Sequence, residues 1–154
     1  MQSRRRLVPK APSPSSAAVT AVMRGNTREG TRPEIIVRQL LHRMGYRYRL
    51  HSKNLPGRPD IVFSSRHIVI QVNGCFWHQH PERYCPLQSK PRSNRNYWDA
   101  KLRRNVMRDE ENREKLNALG WTVLVIWECQ CSELKGLMRK LMRALGPPNR
   151  RTVV

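Results

Sequence analysis

Acidic residues are scarce in this chain, and long apolar runs are missing from it. The 154 residues include 11 Asp and Glu against 30 Lys and Arg, which gives a formal net charge of +19. Such an excess predicts a polyanionic partner, either nucleic acid or an acidic membrane surface. No apolar segment approaches the roughly 18 to 20 residues needed to span a bilayer. Nucleic acid is therefore the better-supported partner, and we expect no membrane association.

The N-terminus also lacks the apolar stretch of a secretory signal, since Arg4, Arg5 and Arg6 lead into a region rich in Pro, Ser and Ala. In a chain without an export signal, the four cysteines are expected to stay reduced and to bind metal rather than form disulfides. These features predict a cytoplasmic protein that acts on DNA or RNA.

The chain is long enough for one domain with a core but hardly for two. Residues 1–20 are predicted to be a disordered basic tail, because they show no hydrophobic period. Residues 21–146 form the predicted domain, of which residues 21–31 are an arm, and residues 147–154 form a flexible tail.

Hydrophobic periodicity predicts the order helix, three strands, helix, strand, helix. The first helix follows a capping box at Thr31, and Gly45 ends it. The later elements are predicted as strands at 46–51, 61–63 and 67–72, a helix at 97–119, a strand at 121–127 and a helix at 134–145. The strand at 121–127 is the one expected to be most buried. This order predicts an α/β fold around one mixed sheet, with no internal repeat.

A carboxylate, Asp60, opens the second predicted strand after the Pro- and Gly-rich sequence LPGRPD. Mg²⁺ prefers oxygen ligands, usually one or two carboxylates with water and substrate phosphate. The best-placed second ligand on the next strand is the backbone carbonyl of Val72. The alternative is that Asp60 merely caps a turn. Glu34 is a further candidate near Asp60, although its place in the capping box would explain it alone.

Residues 74–80, GCFWHQH, place a thiol, two aromatics and two imidazoles in one short segment. Three thiols and one imidazole suffice for a tetrahedral zinc. The predicted zinc ligands are Cys75, His80, Cys85 and Cys129. His78 is then free to act as a general base, a role that suits imidazole near neutral pH. Three alternatives stay open: His78 replaces His80 as the ligand, Cys131 replaces Cys129, or the cysteines are plain core residues.

Aromatic residues next to polar ones predict contact with DNA bases. Phe76 and Trp77 are expected to be exposed and to wedge between base pairs, unless one of them packs into the core. Trp98, Lys101, Asn105 and Asp109 share one face of the long helix because they are spaced by three, four and four residues. That face suits DNA contact, and the alternative is an ordinary solvated surface.

Several motifs together resemble the very short patch repair endonucleases. The motifs are LPGRPD, GCFWH, Asn96-Tyr97-Trp98, Asn105, Arg108-Asp109, Gly120-Trp121 and the sequence VIWEC that ends at Cys129. The resemblance covers about residues 21 to 140. It implies a restriction-endonuclease-like three-layer fold with a central mixed sheet and a structural zinc. It also implies a Mg²⁺-dependent, strand-specific nick on the 5′ side of the thymine in a T·G mismatch.

The resemblance also implies roles for single residues. Asp60 and the Val72 carbonyl would bind Mg²⁺, and His78 would be the general base, supported by Glu34 and Asp109. The aromatics Phe76, Trp77 and Trp98 would intercalate beside the mismatch. Met23 would enter from the opposite groove, and Lys101 and Asn105 would contact the mismatched pair.

The family acts on double-stranded DNA in which deamination of 5-methylcytosine has produced the mismatch. This implies a functional link to a DNA cytosine methyltransferase and to mismatch-repair proteins, and a monomer at the nucleoid. The chain departs from the family at Asn73, where His or Asp is frequent, and in the spacing between His80 and Cys85. Two other functions stay open: a less selective restriction-type or modification-dependent nuclease, and a non-catalytic zinc-stabilised DNA-binding module.

Overall fold

The computed structural model describes residues 9–13, 29–82 and 84–149. In order, the elements of these ranges are helix α1 (Arg32–Arg43), strands β1 (Arg49–Leu50), β2 (Ile61–Phe63) and β3 (Ile68–Asn73), helix α2 (Arg95–Ala118), strand β4 (Thr122–Trp127) and helix α3 (Leu134–Leu145). The predicted order of helices and strands is confirmed. None of the helices in the described part of the chain is long and apolar enough to cross a membrane.

The four strands form one mixed sheet in the order β1-β2-β3-β4. β1, β2 and β3 pair antiparallel, and Ile61 lies opposite Ile70. β4 pairs parallel with β3, so that Ile70 lies opposite Leu124. A parallel pair needs a long crossover, and here α2 lies in that connection.

Side chains from the two faces of the sheet pack against different helices. On one face, α1 and α3 cover residues such as Ile61, Ile70 and Ile126, which are fully buried. On the other face, Val62 and Val69 pack against Leu116 of α2. The molecule therefore has three layers, with the sheet in the middle.

The sheet differs from the prediction at both edges. β1 is only two residues long instead of the predicted six. β4 is an edge strand in which Ile126 alone is buried, whereas all three residues of β2 are buried, so the prediction that 121–127 is the most buried strand is wrong. Residues 121–127 are nevertheless apolar because their side chains pack against the helices that cover the two faces of the sheet. The free edge is partly covered by Lys140, whose Nζ donates to the Val125 carbonyl at 2.8 Å.

Candidate active site and metal centre

Asp60 lies where β2 begins, and its side chain reaches across to β3. Its Oδ2 accepts a hydrogen bond from the backbone N–H of Val72 at 2.7 Å. A turn cap would bond instead to its own loop, so the turn-cap alternative does not account for this carboxylate. Within a strand, the N–H and C=O of one residue point to the same side. The Val72 carbonyl therefore lies on the edge of β3 that faces Asp60.

Two further ligand-type side chains surround Asp60. One ligand atom each from Glu34, His51 and Asp60 lie within 4.8 Å of one another. Glu34 is 1% exposed, and its Oε1 lies 2.6 Å from His51 Nε2. Its Oε2 accepts from the Gly30 N–H at 2.9 Å, while its own N–H donates to the Thr31 hydroxyl at 3.4 Å. Glu34 thus lies in the first turn of α1, which Thr31 caps, and its carboxylate lines the Asp60 cluster.

His51 is absent from the sequence-based site. Alternation of apolar and polar residues made it look like the exposed end of a strand. The available signal was the hairpin itself, because antiparallel pairing of Leu50 with Ile61 brings the next residue, His51, opposite Asp60. The backbone confirms this, since the His51 N–H donates to the Asp60 carbonyl at 3.1 Å.

The electrostatics of Asp60 reflect its partly closed surroundings. Burial raises the pKa of Asp60 to about 6, and the carboxylate of Glu34 adds to the effect. The hydrogen bond from Val72 and the electrostatic interactions with His51 and His78 lower this pKa. A cation held next to the two carboxylates would relieve their mutual repulsion.

His78 lies in the 74–80 turn and faces α2. Its Nδ1 is 2.5 Å from Asp109 Oδ2, and both side chains are about one quarter exposed (27% and 26%). Because a carboxylate accepts, Nδ1 carries the hydrogen and Nε2 keeps a lone pair. A histidine held in this tautomer is suited to take a proton from water through Nε2.

The Cys/His cluster brings together four residues from distant parts of the sequence. One ligand atom from each lies within 4.8 Å of the other three: Cys75, His80, Cys85 and Cys129. Cys129 Sγ lies 3.5 Å from His80 Nδ1. Around a tetrahedral zinc, neighbouring ligand atoms are separated by about 3.5 to 3.8 Å, as follows from Zn–S and Zn–N bonds of about 2.3 and 2.0 Å. The donor set and spacing therefore fit zinc.

The surroundings of this cluster suit a bound cation. Burial raises the pKa of the Cys75 thiol to about 12 and also raises that of Cys129, so the thiolates need a positive charge beside them. Burial lowers the pKa of His80, which favours the neutral, metal-binding form of its ring. The ring also stacks on Trp127, with centroids 4.5 Å apart.

The rival ligands have other partners. Cys131 lies in the core cluster with residues of α1, and its thiol donates to the carbonyl of Pro33 at 3.8 Å. His78 pairs with Asp109 as described above. Neither belongs to the cluster of four among the described residues.

An aromatic cluster adjoins His78. Phe76 lies 5.0 Å from Trp77 and 5.6 Å from Trp98, measured between ring centroids. Phe76 and Trp77 are half-buried, whereas Trp98 is only 8% exposed. Trp98 therefore supports the other two rings from below in the free protein. Trp98 is buried because it lies on the side of α2 that packs on the turn, and its intercalation stays a prediction.

The face of α2 that is predicted to contact DNA packs on the 74–80 turn in the free protein. Lys101 Nζ lies over the rings of Trp77 and Trp98, at 5.3 and 5.6 Å from their centroids, and donates to the Tyr97 hydroxyl at 3.1 Å. Asn105 Nδ2 donates to the Trp77 carbonyl at 3.0 Å. The same face therefore holds the 74–80 turn in place, and an ordinary solvated surface does not describe it.

Two predicted residues need separate mention. Met23 lies outside the described residues. Asn73, the departure noted in the sequence, is 7% exposed and ends β3 opposite Trp127. The start of the predicted C-terminal tail contacts the domain: Arg66 donates hydrogen bonds to the carbonyl of Pro147 and to the side chain of Asn149.

Comparison with known proteins gives a consistent result. The family model described as DNA mismatch endonuclease Vsr matches residues 15–83. The type II nicking enzyme V.XorIIP of Xanthomonas oryzae pv. oryzae is 48% identical over 119 residues, which cover 77% of this chain and 85% of that protein. The type II nicking enzyme V.NaeI of Lentzea aerocolonigenes is 40% identical over 123 residues, 76% of this chain and 71% of the relative.

A third relative carries the name of the family model. The DNA mismatch endonuclease Vsr of Escherichia coli (strain K12) is 38% identical over 107 residues, which cover 70% of this chain and 67% of the relative. These matched lengths exceed any single motif and extend over most of the chain.

Proposed function

Because this chain belongs to the Vsr DNA mismatch endonuclease family, we propose that it is a strand-specific endonuclease for T·G mismatches. It nicks double-stranded DNA on the 5′ side of the mismatched thymine. The similarity to nicking enzymes and to a mismatch endonuclease supports DNA cleavage as its activity. The fold in this proposal is of the restriction-endonuclease type, in agreement with the three layers and the mixed sheet.

One observation carries the proposal: the 74–80 turn joins base-stacking and proton-transfer groups beside Asp60. Phe76 and Trp77 present half-buried rings, and the next residue, His78, is hydrogen-bonded to Asp109. Electrostatic interaction with His78 lowers the pKa of Asp60, so the turn and this carboxylate influence each other. A nuclease that cuts next to a distorted base pair needs this combination of groups.

In the proposed reaction, Asp60 and the Val72 carbonyl hold Mg²⁺. The bound cation supplies charge neutralisation at the scissile phosphate. His78 Nε2 accepts a proton from the attacking water, and Asp109 keeps the ring in the required tautomer. Glu34 supports the site from beneath through its buried carboxylate.

The Cys/His cluster is proposed to hold a structural zinc. Cys75 and His80 flank the turn that carries Phe76, Trp77 and His78, so zinc ligation at both ends limits the freedom of the turn. Cys129 anchors the cluster to the end of β4 through its N–H, which donates to Cys75 Sγ at 3.4 Å. The zinc thereby fixes the turn relative to the sheet.

DNA recognition is proposed to use the aromatic cluster and the basic surface. Phe76 and Trp77 enter the base stack, and Trp98 follows only if it moves from its buried position. Met23 enters from the opposite groove, while Lys101 and Asn105 contact the mismatched pair. The net charge of +19 supplies sequence-independent attraction to phosphates.

The proposed substrate arises when 5-methylcytosine is deaminated within a methyltransferase site. The enzyme then acts as a monomer on nucleoid DNA in the cytoplasm, in functional connection with a DNA cytosine methyltransferase and with mismatch-repair proteins. Nicking starts the repair of a very short patch.

A nicking assay on labelled duplexes tests the proposal. The substrates are a T·G mismatch in several sequence contexts and matched T·A and C·G duplexes, each with and without Mg²⁺. We expect a cut in the thymine strand of the mismatched duplex only, its loss in Asp60→Ala, and its retention in the control Asp99→Ala, whose carboxylate is exposed and paired with Lys90.

Two outcomes would contradict the proposal and select an alternative. Cleavage of both strands in matched DNA would indicate a restriction-type nuclease. Salt-sensitive binding without any Mg²⁺-dependent product would indicate a zinc-stabilised DNA-binding module.

A further inference from the structure

His51 is the ligand-type side chain of the Asp60 cluster that the proposed reaction does not use. It is 21% exposed, and its Nε2 points at Glu34 Oε1 from 2.6 Å. Its other nitrogen, Nδ1, lies 3.6 Å from a carboxylate oxygen of Glu29. A histidine that ligates a metal with one nitrogen commonly directs the other at a carboxylate, which fixes the ring. His51 has this two-sided arrangement.

The charges of the cluster also suit a divalent cation. Two carboxylates, Glu34 and Asp60, and a neutral imidazole balance two positive charges. Their ligand atoms already lie within 4.8 Å of one another, so a metal ion takes the place of the hydrogen between His51 and Glu34 without a large movement. Glu34 is held by Gly30 and by the first turn of α1, and His51 is held by its backbone bond to Asp60. The cluster is therefore preorganised from two sides.

We propose that His51 is a direct ligand of the Asp60 cation site and makes that site bind Mn²⁺ in preference to Mg²⁺. This rests on the proposed function, in which Asp60 holds the catalytic cation. Mg²⁺ demands oxygen ligands and keeps several waters. A nitrogen ligand favours first-row transition ions; Mn²⁺ is the weakest binder of that series, but it also suits carboxylate and carbonyl oxygens and therefore matches the mixed ligands of this cluster. The imidazole therefore changes which cation the site selects, while Asp60 and Glu34 attract any divalent ion.

The competing explanation is that His51 and Glu34 form a plain ion pair at the start of α1. Such a pair would stabilise the helix but would leave metal selectivity unchanged. The conservative variant His51→Gln separates the two explanations, because an amide keeps a hydrogen bond to Glu34 and offers Mg²⁺ an oxygen. His42→Gln is the matched control, since His42 is exposed near the end of the same helix.

The experiment measures metal binding directly on the full-length protein with its zinc site filled. Mn²⁺ is titrated and the free ion is followed by its electron paramagnetic resonance signal, and Mg²⁺ is added as a competitor. For His51→Gln we expect Mn²⁺ to bind about tenfold or more weakly, since even outer-shell partners of a ligand change affinity by about 10- to 100-fold. Mg²⁺ affinity should stay within about threefold, because its oxygen ligands remain.

A spectroscopic readout tests ligation itself. Bound Mn²⁺ should show spin-echo modulation from a directly coordinated imidazole nitrogen in the wild type and in His42→Gln, and this modulation should disappear in His51→Gln. Equal Mn²⁺ affinity in wild type and His51→Gln, or nitrogen modulation that persists in the variant, overturns the inference. Failure of the wild type to bind Mn²⁺ also overturns it.

Failure of this inference is distinguishable from failure of the proposed function. If His51 has no effect on metal choice, wild-type nicking of the T·G duplex with Mg²⁺ still supports the proposed function. If Mn²⁺ is bound through His51 but neither cation supports nicking of mismatched DNA, the proposed function fails and the metal site stands.

Discussion

Replacing Asp60 with Asn should stabilise the metal-free protein while abolishing its nuclease activity. The pKa of Asp60 is raised from 3.8 to about 6, chiefly by burial. Above about pH 6, the folded protein therefore carries a carboxylate in surroundings that disfavour its charge. Asn is neutral at every pH, and its side-chain oxygen still accepts the hydrogen bond from the Val72 N–H. The variant removes the unfavourable charge and keeps the contact.

The expected magnitude follows from the two pKa values. Each pKa unit corresponds to about 1.4 kcal/mol, so the difference between 3.8 and about 6 sets an upper limit of about 3 kcal/mol. Solvent reaches the carboxyl group and screens part of this, which leaves about 1 to 2 kcal/mol. For a domain of this size, that gain corresponds to a rise in Tm of about 3 to 10 °C.

The pH dependence has a definite sign. Between about pH 4 and pH 6 the folded wild type binds more protons at Asp60 than the unfolded chain does. Its free energy of unfolding therefore falls as the pH rises through this window. The advantage of Asp60→Asn should be near zero at pH 4, should grow up to about pH 6 and should then stay constant.

Thermal unfolding of zinc-loaded protein without added Mg²⁺, from pH 4.5 to pH 8, measures this effect. Asp99→Asn is the control, because its side chain is half exposed and should change Tm little at any pH. Added Mg²⁺ should raise the Tm of the wild type but not that of Asp60→Asn, since a ligand stabilises only the protein that binds it. A variant less stable than the wild type at pH 8, or a gain of equal size at both ends of the pH range, would refute the reasoning.

Three further predictions concern the neighbouring groups. Cys85→Ser should lose zinc and unfold at lower temperature, whereas Cys131→Ser should keep one zinc per chain in atomic absorption; equal zinc content in both would exclude the proposed ligand set. Asp109→Asn should slow nicking by about 100-fold or more while T·G duplex binding is retained, because His78 loses the acceptor that fixes its tautomer; an unchanged rate would remove Asp109 from the mechanism. Trp77→Ala should reduce the preference for mismatched over matched duplex by about tenfold in binding titrations, as expected for a lost stacking contact; an unaltered preference would assign the mismatch contact to other residues.

The sequence predicts those elements whose signals are local. Thr31 is the predicted N-cap, with its hydroxyl accepting from the Glu34 N–H, although the Glu34 carboxylate accepts from the Gly30 N–H rather than from the Thr31 N–H of a complete capping box. α3 begins and ends at the predicted residues 134 and 145. Hydrophobic periodicity and capping residues determine such elements, and both signals lie within the sequence of the element itself. For the same reason, the order of helices and strands could be predicted without knowledge of the sheet.

Features that depend on strand pairing could not be predicted in this way. His51 enters the Asp60 cluster only because β1 and β2 pair. A strand of two residues is too short for its sequence pattern to predict which strand it pairs with. The edge position of β4 depends on the strand order, which the apolar run at 121–127 does not contain. Trp98 is buried because the 74–80 turn packs on α2, a contact between segments about 20 residues apart in the chain.

The course of α2 past the 74–80 turn has a geometric consequence for cleavage. Lys101, whose Nζ lies over the Trp77 and Trp98 rings, and Asp109, which is hydrogen-bonded to His78, belong to one uninterrupted helix. Eight residues of α-helix span about 12 Å. The group that contacts the aromatic rings and the group that orients the proposed general base are therefore held at a fixed separation along one helix. One inserted residue between them would turn Asp109 by about 100° around the helix axis. The number of residues between Lys101 and Asp109 thus sets how the ring-contacting and proton-accepting groups face each other, and only an insertion of about a whole helical turn would preserve that alignment.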